Sequence, residues 1–408
     1  MLPNKLWLIL ILTFAVATDY CLRPSAASEH VAPLFVSDNP QSIYAADPND
    51  SWNRIFRTLF TRTVRARVSD AFPEGAPFTQ FYVRMGSFPL RLSKEMLSRT
   101  ELGDRAIEPH YPTSESELTA ALREAINETK IRSPPERALM QADVWAAYDI
   151  LYPKNFDTVR KATLLGLLRQ FIRKLALSSD ELKSLKSNRL PIAVSPETGW
   201  LEIELLPHRH HDDAASYRRA ARVFVKPRTP PSDAAQFVES LKHNQHHDQI
   251  EAVALIVQNL LIDTSGRVVP SPLFSDVQFR FFKNDPKTGA TSAEPQQFEL
   301  SRRKLLTDPV SGGFIEFSAT APAYLSAAGN DYDFASAIEE AGAPIVAPLR
   351  THCTQCHNSS LTTMMTYAIH DFPPVPTTRI LKDQERAFYV ARRKEERDDF
   401  KSLTVTAQ

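Results

Sequence analysis

The feature that most restricts this chain is a change of hydrophobic period close to Pro191. Upstream of it, apolar residues recur every three to four positions. In SESELTAALREAINET (114–129), Leu118, Ala121, Leu122, Ala125 and Ile126 fall on one helical face, and Ser114 with Glu117 forms a capping-box pattern. SPPERALMQADVWAAYDILY (133–152) opens on Ser133 as N-cap, with prolines in the first turn, where the missing N–H would have no helical partner anyway. Its Leu139, Met140, Val144, Ala147, Tyr148 and Leu151 keep helical spacing, and DTVRKATLLGLLRQFIRKLALSSDEL (157–182) extends the pattern, with Ser179 capping a short further helix. Trp145, Tyr148 and Phe171 take core positions on these helices. SWNRIFRTLFTRTVRARV (51–68) reads as another amphipathic helix with a solvated arginine face.

Beyond Pro191 the texture is that of strands. WLEIELL (200–206), RVFVK (222–226), AVALIVQNLLI (252–262) and VQFRFFK (277–283) are short, rich in β-branched and aromatic residues, and separated by turn residues. DTSGRVVP (263–270) is a hairpin connection, PPSDAAQFVESLKH (230–243) a helix between strands, and ARRKEERDDFKSL (391–403) a terminal solvated helix. The expected fold class is α+β. It comprises a mainly helical N-terminal region (28–195), a mixed α/β middle region (196–330) and a small, mainly helical C-terminal segment (331–408).

Charge and glycine content remove several functional classes. The 48 Lys and Arg are matched by 48 Asp and Glu, so no global basic field points to nucleic acid. Among only 11 glycines there is no G-x-G-x-x-G and no Walker-type loop, which speaks against a nucleotide cofactor. There is no H-E-x-x-H, G-x-S-x-G or Ser-His-Asp order to support a hydrolase.

The N-terminus, MLPNKLWLILILTFAVATDYCLRPSAASEH, places Lys5 before a 12-residue apolar run, Leu6 to Ala17. A comfortable transmembrane span needs about 20 residues, so the run fits a secretory signal better. Ala15-Val16-Ala17 and Ser25-Ala26-Ala27 both suit cleavage; the second is favoured, making residues 1–27 the signal peptide. The alternative is an uncleaved anchor, and a lipid anchor at Cys21 is disfavoured by the neighbouring Tyr20. The expected location is periplasmic or secreted, with no membrane span after signal removal.

Loss of the signal leaves two cysteines, both in THCTQCHNSS (351–360). Cysteines at i and i+3 share one side of a helical turn, and a histidine at i+4 lies beside them. Cys353, Cys356 and His357 have this spacing, which suits covalent haem: two thiols reach the vinyl groups on one porphyrin edge while the imidazole turns beneath the ring. Zinc is a competitor, since the histidine clusters HRHHDD (208–213) and HNQHHD (243–248) could add ligands. These clusters could also hold a transition metal of their own. A disulfide or redox-active Cys-x-x-Cys pair is a third reading.

The motif resembles the haem-attachment motif of c-type cytochromes, here near the C-terminus of a larger exported bacterial protein. The resemblance covers the motif and at most the last 70 or so residues. It implies one covalently bound haem c, with Cys353 and Cys356 as thioether anchors and His357 as the proximal iron ligand. It also implies one-electron transfer with a redox partner protein. Small cytochromes c usually place a methionine ligand some tens of residues after the motif, whereas Met364 and Met365 follow His357 by only 7 and 8 residues. An extended chain covers at most about 3.3–3.6 Å per residue, so His370, 13 residues on, rounds the porphyrin edge more easily. His370 is the first candidate for the sixth ligand, with Met364 and Met365 as alternatives. His352 abuts Cys353 and is badly placed to cross, a histidine from 208–211 or 243–247 could come in, and an open site is the remaining option. The ligand sets the chemistry, from electron transfer to a peroxidase-like or ligand-binding haem enzyme. A zinc-stabilised secreted binding protein is the reading without haem.

Overall fold

The computed structural model describes residues 31–34, 42–68, 79–84, 107–108, 115–152, 158–204, 219–241, 249–284, 291–317, 322–325, 345–348 and 379–404. Within them the protein is α+β, as its two hydrophobic periods require.

Strand β1 (Val31–Leu34) precedes helix α1 (Ser51–Phe60), which passes directly into β2 (Thr61–Val68). A single helix over 51–68 was the expectation, and it is corrected here. Thr61, Thr63, Val64 and Val68 are β-branched and favour an extended backbone, and β2 finds ladder partners in β3 (Thr79–Arg84) and β4 (Ile107–Glu108).

The helical layer follows. Helix α2 (Glu115–Asn127) buries Leu118, Ala121, Leu122 and Ala125, the face its spacing predicts. Helix α3 (Pro134–Leu151) starts at Ser133, whose backbone N–H and hydroxyl both donate to Glu136 (2.8 and 2.6 Å). Helix α4 (Thr158–Lys174) and the short α5 (Ser179–Ser184) complete it. The cap of α5 is Ser178, one residue before the expected Ser179, because Glu181 closes a capping box with Ser178. Trp145, Tyr148 and Phe171 are fully buried, as their positions on the helices require.

The main sheet has six antiparallel strands in the order β10-β9-β8-β7-β6-β5. They are β5 (Leu201–Ile203), β6 (Arg219–Pro227), β7 (Ile250–Ile262), β8 (Val268–Asn284), β9 (Thr291–Leu300) and β10 (Phe314–Phe317). Helix α6 (Ala234–Ser240) lies between β6 and β7, and α7 (Arg302–Thr307) between β9 and β10. Both faces of the sheet are covered. Phe224, Ala254, Ile256, Val277 and Phe279 join the helical core, whereas Val223, Val225, Val253 and Phe282 pack with Phe237 and Val238 of α6. This is why β7 reads as a continuous apolar run instead of an alternating one. The β7–β8 connection is the expected hairpin, with Asp263 accepting from the N–H groups of Ser265 and Arg267 and Gly266 at φ +81°.

Strands β11 (Pro322–Leu325) and β12 (Ile345–Pro348) join the first sheet, whose order is β1-β3-β2-β12-β11 with β4 on β2. Finally α8 (Glu385–Glu395) and α9 (Asp398–Thr404) insert Ala387, Val390, Ala391, Phe400 and Leu403 into the helical core. The expected terminal solvated helix is therefore two helices with a buried face. Lys394 is fully buried among the charges that made this segment look solvated. No helix among the described residues is long and apolar enough to cross a membrane.

Candidate functional site

The residues singled out in the sequence, Cys353, Cys356, His357, Met364, Met365 and His370, lie outside the described residues, as do both histidine-rich clusters. What the structure describes is how the chain enters and leaves this region. It enters from β12, which pairs parallel with β2 and antiparallel with β11. It leaves at Arg379, with 30 residues between it and Pro348. There the chain adds itself to the free edge of β5: Glu204 N–H donates to the Arg379 carbonyl (2.8 Å), Leu381 N–H donates to the Glu202 carbonyl (2.9 Å), and Ile380 bridges Ile203.

Side chains lock this exit. Arg379 donates through Nη2 to Glu385 at the start of α8 (2.6 Å) and through Nε to Glu204. These contacts hold the Glu385 carboxyl below the usual carboxylate range, the Arg379 hydrogen bond being the largest cause. Beneath them Arg222 makes a two-pronged, buried contact with Glu202 (2.9 and 2.7 Å) and also reaches Asp383 (3.2 Å). Gln384 caps α8 from a left-handed backbone (φ +55°), and its side-chain oxygen accepts from Gln258 at 3.4 Å. Further along, the Lys394 ammonium lies between Asp149 (2.8 Å) and Asp399 (3.2 Å), over the Trp145 ring at 5.4 Å. Removing three charges from water is costly unless they neutralise one another, and this arrangement ties α8 and α9 to α3.

A second polar cluster sits where α3 meets the sheet. Arg302 grips Asp143 through both carboxylate oxygens (2.8 and 2.5 Å), and Tyr44 adds its hydroxyl at 3.0 Å. Trp145, Arg219, Asn259 and Ser275 share the adjoining cavity, whose volume of about 10 Å³ suits one water molecule. Nearby, Asp276 lies directly opposite Glu299 across β8 and β9. Burial, and then the Glu299 carboxylate, push the Asp276 carboxyl up to about 6. The Asp143–Arg302, Glu202–Arg222 and Lys394 groups are paired internally, so they fix packing.

Among the described residues no three His, Cys, Asp or Glu side chains gather as a metal site. All 11 histidines and all 3 cysteines lie outside these residues, and the one methionine within them, Met140, is sealed in the helical core. The sequence reading missed the exit itself. Arg379, Glu204 and Glu385 are unremarkable as a string, and pairing across 175 residues leaves no local signal.

No protein-family model, curated protein or solved structure matches the chain. Its function has to be read from its own residues.

Proposed function

We propose that this protein is an exported, monohaem c-type cytochrome-like electron carrier. One haem c is attached through Cys353 and Cys356, with His357 on the iron. The observation that carries the reading is the spacing Cys353-Thr354-Gln355-Cys356-His357, in a chain whose only other cysteine, Cys21, falls in the expected export signal. The location is periplasmic or secreted, where haem c is attached, and the partner is a redox protein. The reading includes a small, mainly helical haem-binding fold around the motif, next to a helical N-terminal half and a mixed middle region.

The donor set agrees with the group. The two thiols are the last cysteines in the chain, His357 adjoins them, and 30 residues between Pro348 and Arg379 are ample to surround a porphyrin. A bound haem c supplies a one-electron iron couple whose potential its axial ligands tune. The chain's own contributions are the thioether anchors, an imidazole at His357, a second ligand for which His370 is the first choice over Met364 and Met365, and a body that fixes both ends of the segment.

The test is haem staining after denaturing electrophoresis of protein exported with haem-maturation machinery, together with the pyridine haemochrome spectrum. A stained band at the mature mass is expected, and haem lost to acid-acetone extraction would refute covalent attachment. His370→Ala should turn a low-spin ferric iron high-spin and open it to cyanide. Met364→Ala combined with Met365→Ala should leave the spectrum nearly intact; the reverse pattern would hand the role to a methionine.

A further inference from the structure

The exit of the proposed haem-bearing segment leads onto a half-exposed face of α8, where the Arg386 guanidinium meets the Tyr389 ring at 5.7 Å. The inner face of this helix, Ala387, Val390, Ala391 and Lys394, is buried. Glu385, Phe388, Tyr389 and Arg392 are spaced i, i+3, i+4 and i+7 and line the outer face. Phe388 and Tyr389 are 50% and 45% exposed. The other large hydrophobics exposed among the described residues, Ile131, Val159 and Val310, are isolated in sequence, whereas these two aromatics adjoin. Scattered apolar residues on a surface need no explanation, but paired aromatics on one helical face ask for a cover.

We propose that this outer face of α8 is the wall on which residues 349–378 dock with their haem. The proposal rests on the haem reading above. Three observations select this occupant. The segment ends at Arg379, and Arg379 is bonded to Glu385, which lies on the same face one helical turn, about 5.4 Å, before Phe388 and Tyr389. The 22 residues from His357 to Arg379 can bring the porphyrin back over that turn, because even a compact path of this length covers the distance. The chemistry is also complementary. Haem is a flat apolar macrocycle with two carboxylates on one edge, and the face presents two aromatic rings followed, one turn on, by the exposed guanidinium of Arg392.

The test uses the full chain exported with haem-maturation machinery, comparing the unmodified protein with Phe388→Ser plus Tyr389→Ser and, separately, Arg392→Gln. Haem staining, far-ultraviolet circular dichroism, limited proteolysis mapped to 349–378 and the midpoint potential are read on each. The proposal expects covalent haem and unchanged secondary structure in all three, with cleavage inside 349–378 about tenfold faster in the double variant. It also expects a shifted potential in both variants; Arg392→Gln keeps the aromatic wall and covers the case in which the double variant fails to fold. Covalent haem with unchanged cleavage and potential would overturn the docking while leaving the haem reading intact. A concentration-dependent dimer that the double variant abolishes, at unchanged cleavage, would give the face to a second copy and overturn it too. Absence of covalent haem from the unmodified protein would overturn the haem reading first.

Discussion

Lys394 concentrates more of the folding logic than any other single residue. Its ammonium is inaccessible to water and satisfied by Asp149 and Asp399 over an aromatic ring. Lys394→Met would take the ammonium from the buried Asp149 and leave Asp399 only its longer contact with Arg397 (3.4 Å), a loss of about 3–5 kcal/mol. Urea unfolding should show the midpoint falling with little change in slope, and an unchanged midpoint would contradict the burial. Asp276 behaves in the opposite sense. Its folded carboxyl titrates near 6, above the ordinary 3.8, because burial and Glu299 disfavour its charge. Between these values the folded chain holds a proton that the unfolded chain has released, so stability falls as pH rises from about 4 to about 6. The full shift corresponds to about 3 kcal/mol; since the side chain is only partly shielded, about 1–2 kcal/mol is the better expectation. Asp276→Asn should match the parent at pH 4 and exceed it at pH 8. Equal stability of the two proteins at pH 8 would refute this.

Single turns decide the elements around the sheet. Gly312, at φ +77°, precedes β10, and a Cβ built there would lie 2.0 Å from the Arg189 carbonyl oxygen. Its neighbour Asn188 ties the turn down, donating to the carbonyls of Phe274 and Gly312 and accepting from Phe274 N–H. Gly266, in the β7–β8 hairpin, shares the left-handed backbone but has open space around it. Gly312→Ala should therefore cost several times the roughly 1–2 kcal/mol expected of Gly266→Ala, a contrast readable in thermal midpoints. The same local physics explains what the sequence made legible. Helices α2 to α4 and strands β6 to β8 were visible because their buried faces have strong periods. β9 was not: TSAEPQQFEL carries Pro295, two glutamines and two glutamates, and it is a strand because β8 offers a full ladder. The helix over 51–68 failed where β-branching outweighed an apparent apolar face. The motif at 353–357 was plain in sequence, because the covalent attachment proposed for it needs only five adjacent residues, whereas the face proposed to receive it depends on a contact between Arg379 and Glu385 that no periodicity encodes.

For the molecule as a whole, the C-terminal 26 described residues, 379–404, belong to the core of the body. Val390, Phe400 and Leu403 each bury a large apolar side chain, at about 2 kcal/mol apiece, and together they match the lower end of a domain's net stability. A chain ended after Thr378 should thus fail to give the cooperative unfolding of the full protein. A fragment beginning at Asn330 should aggregate or bind little haem, because it lacks the helices and sheet against which its last two helices pack. A soluble monomeric fragment with the parent spectrum would contradict this. The strand addition at β5 has one more consequence. While residues 379–381 are in place, the outermost backbone groups on the β5 side of the main sheet are occupied; once they detach, β5 offers unpaired N–H and C=O groups to any neighbouring chain. Under the proposed haem attachment, its failure in the preceding thirty residues should surface as intermolecular strand pairing, and insoluble aggregate should exceed any soluble haem-free form.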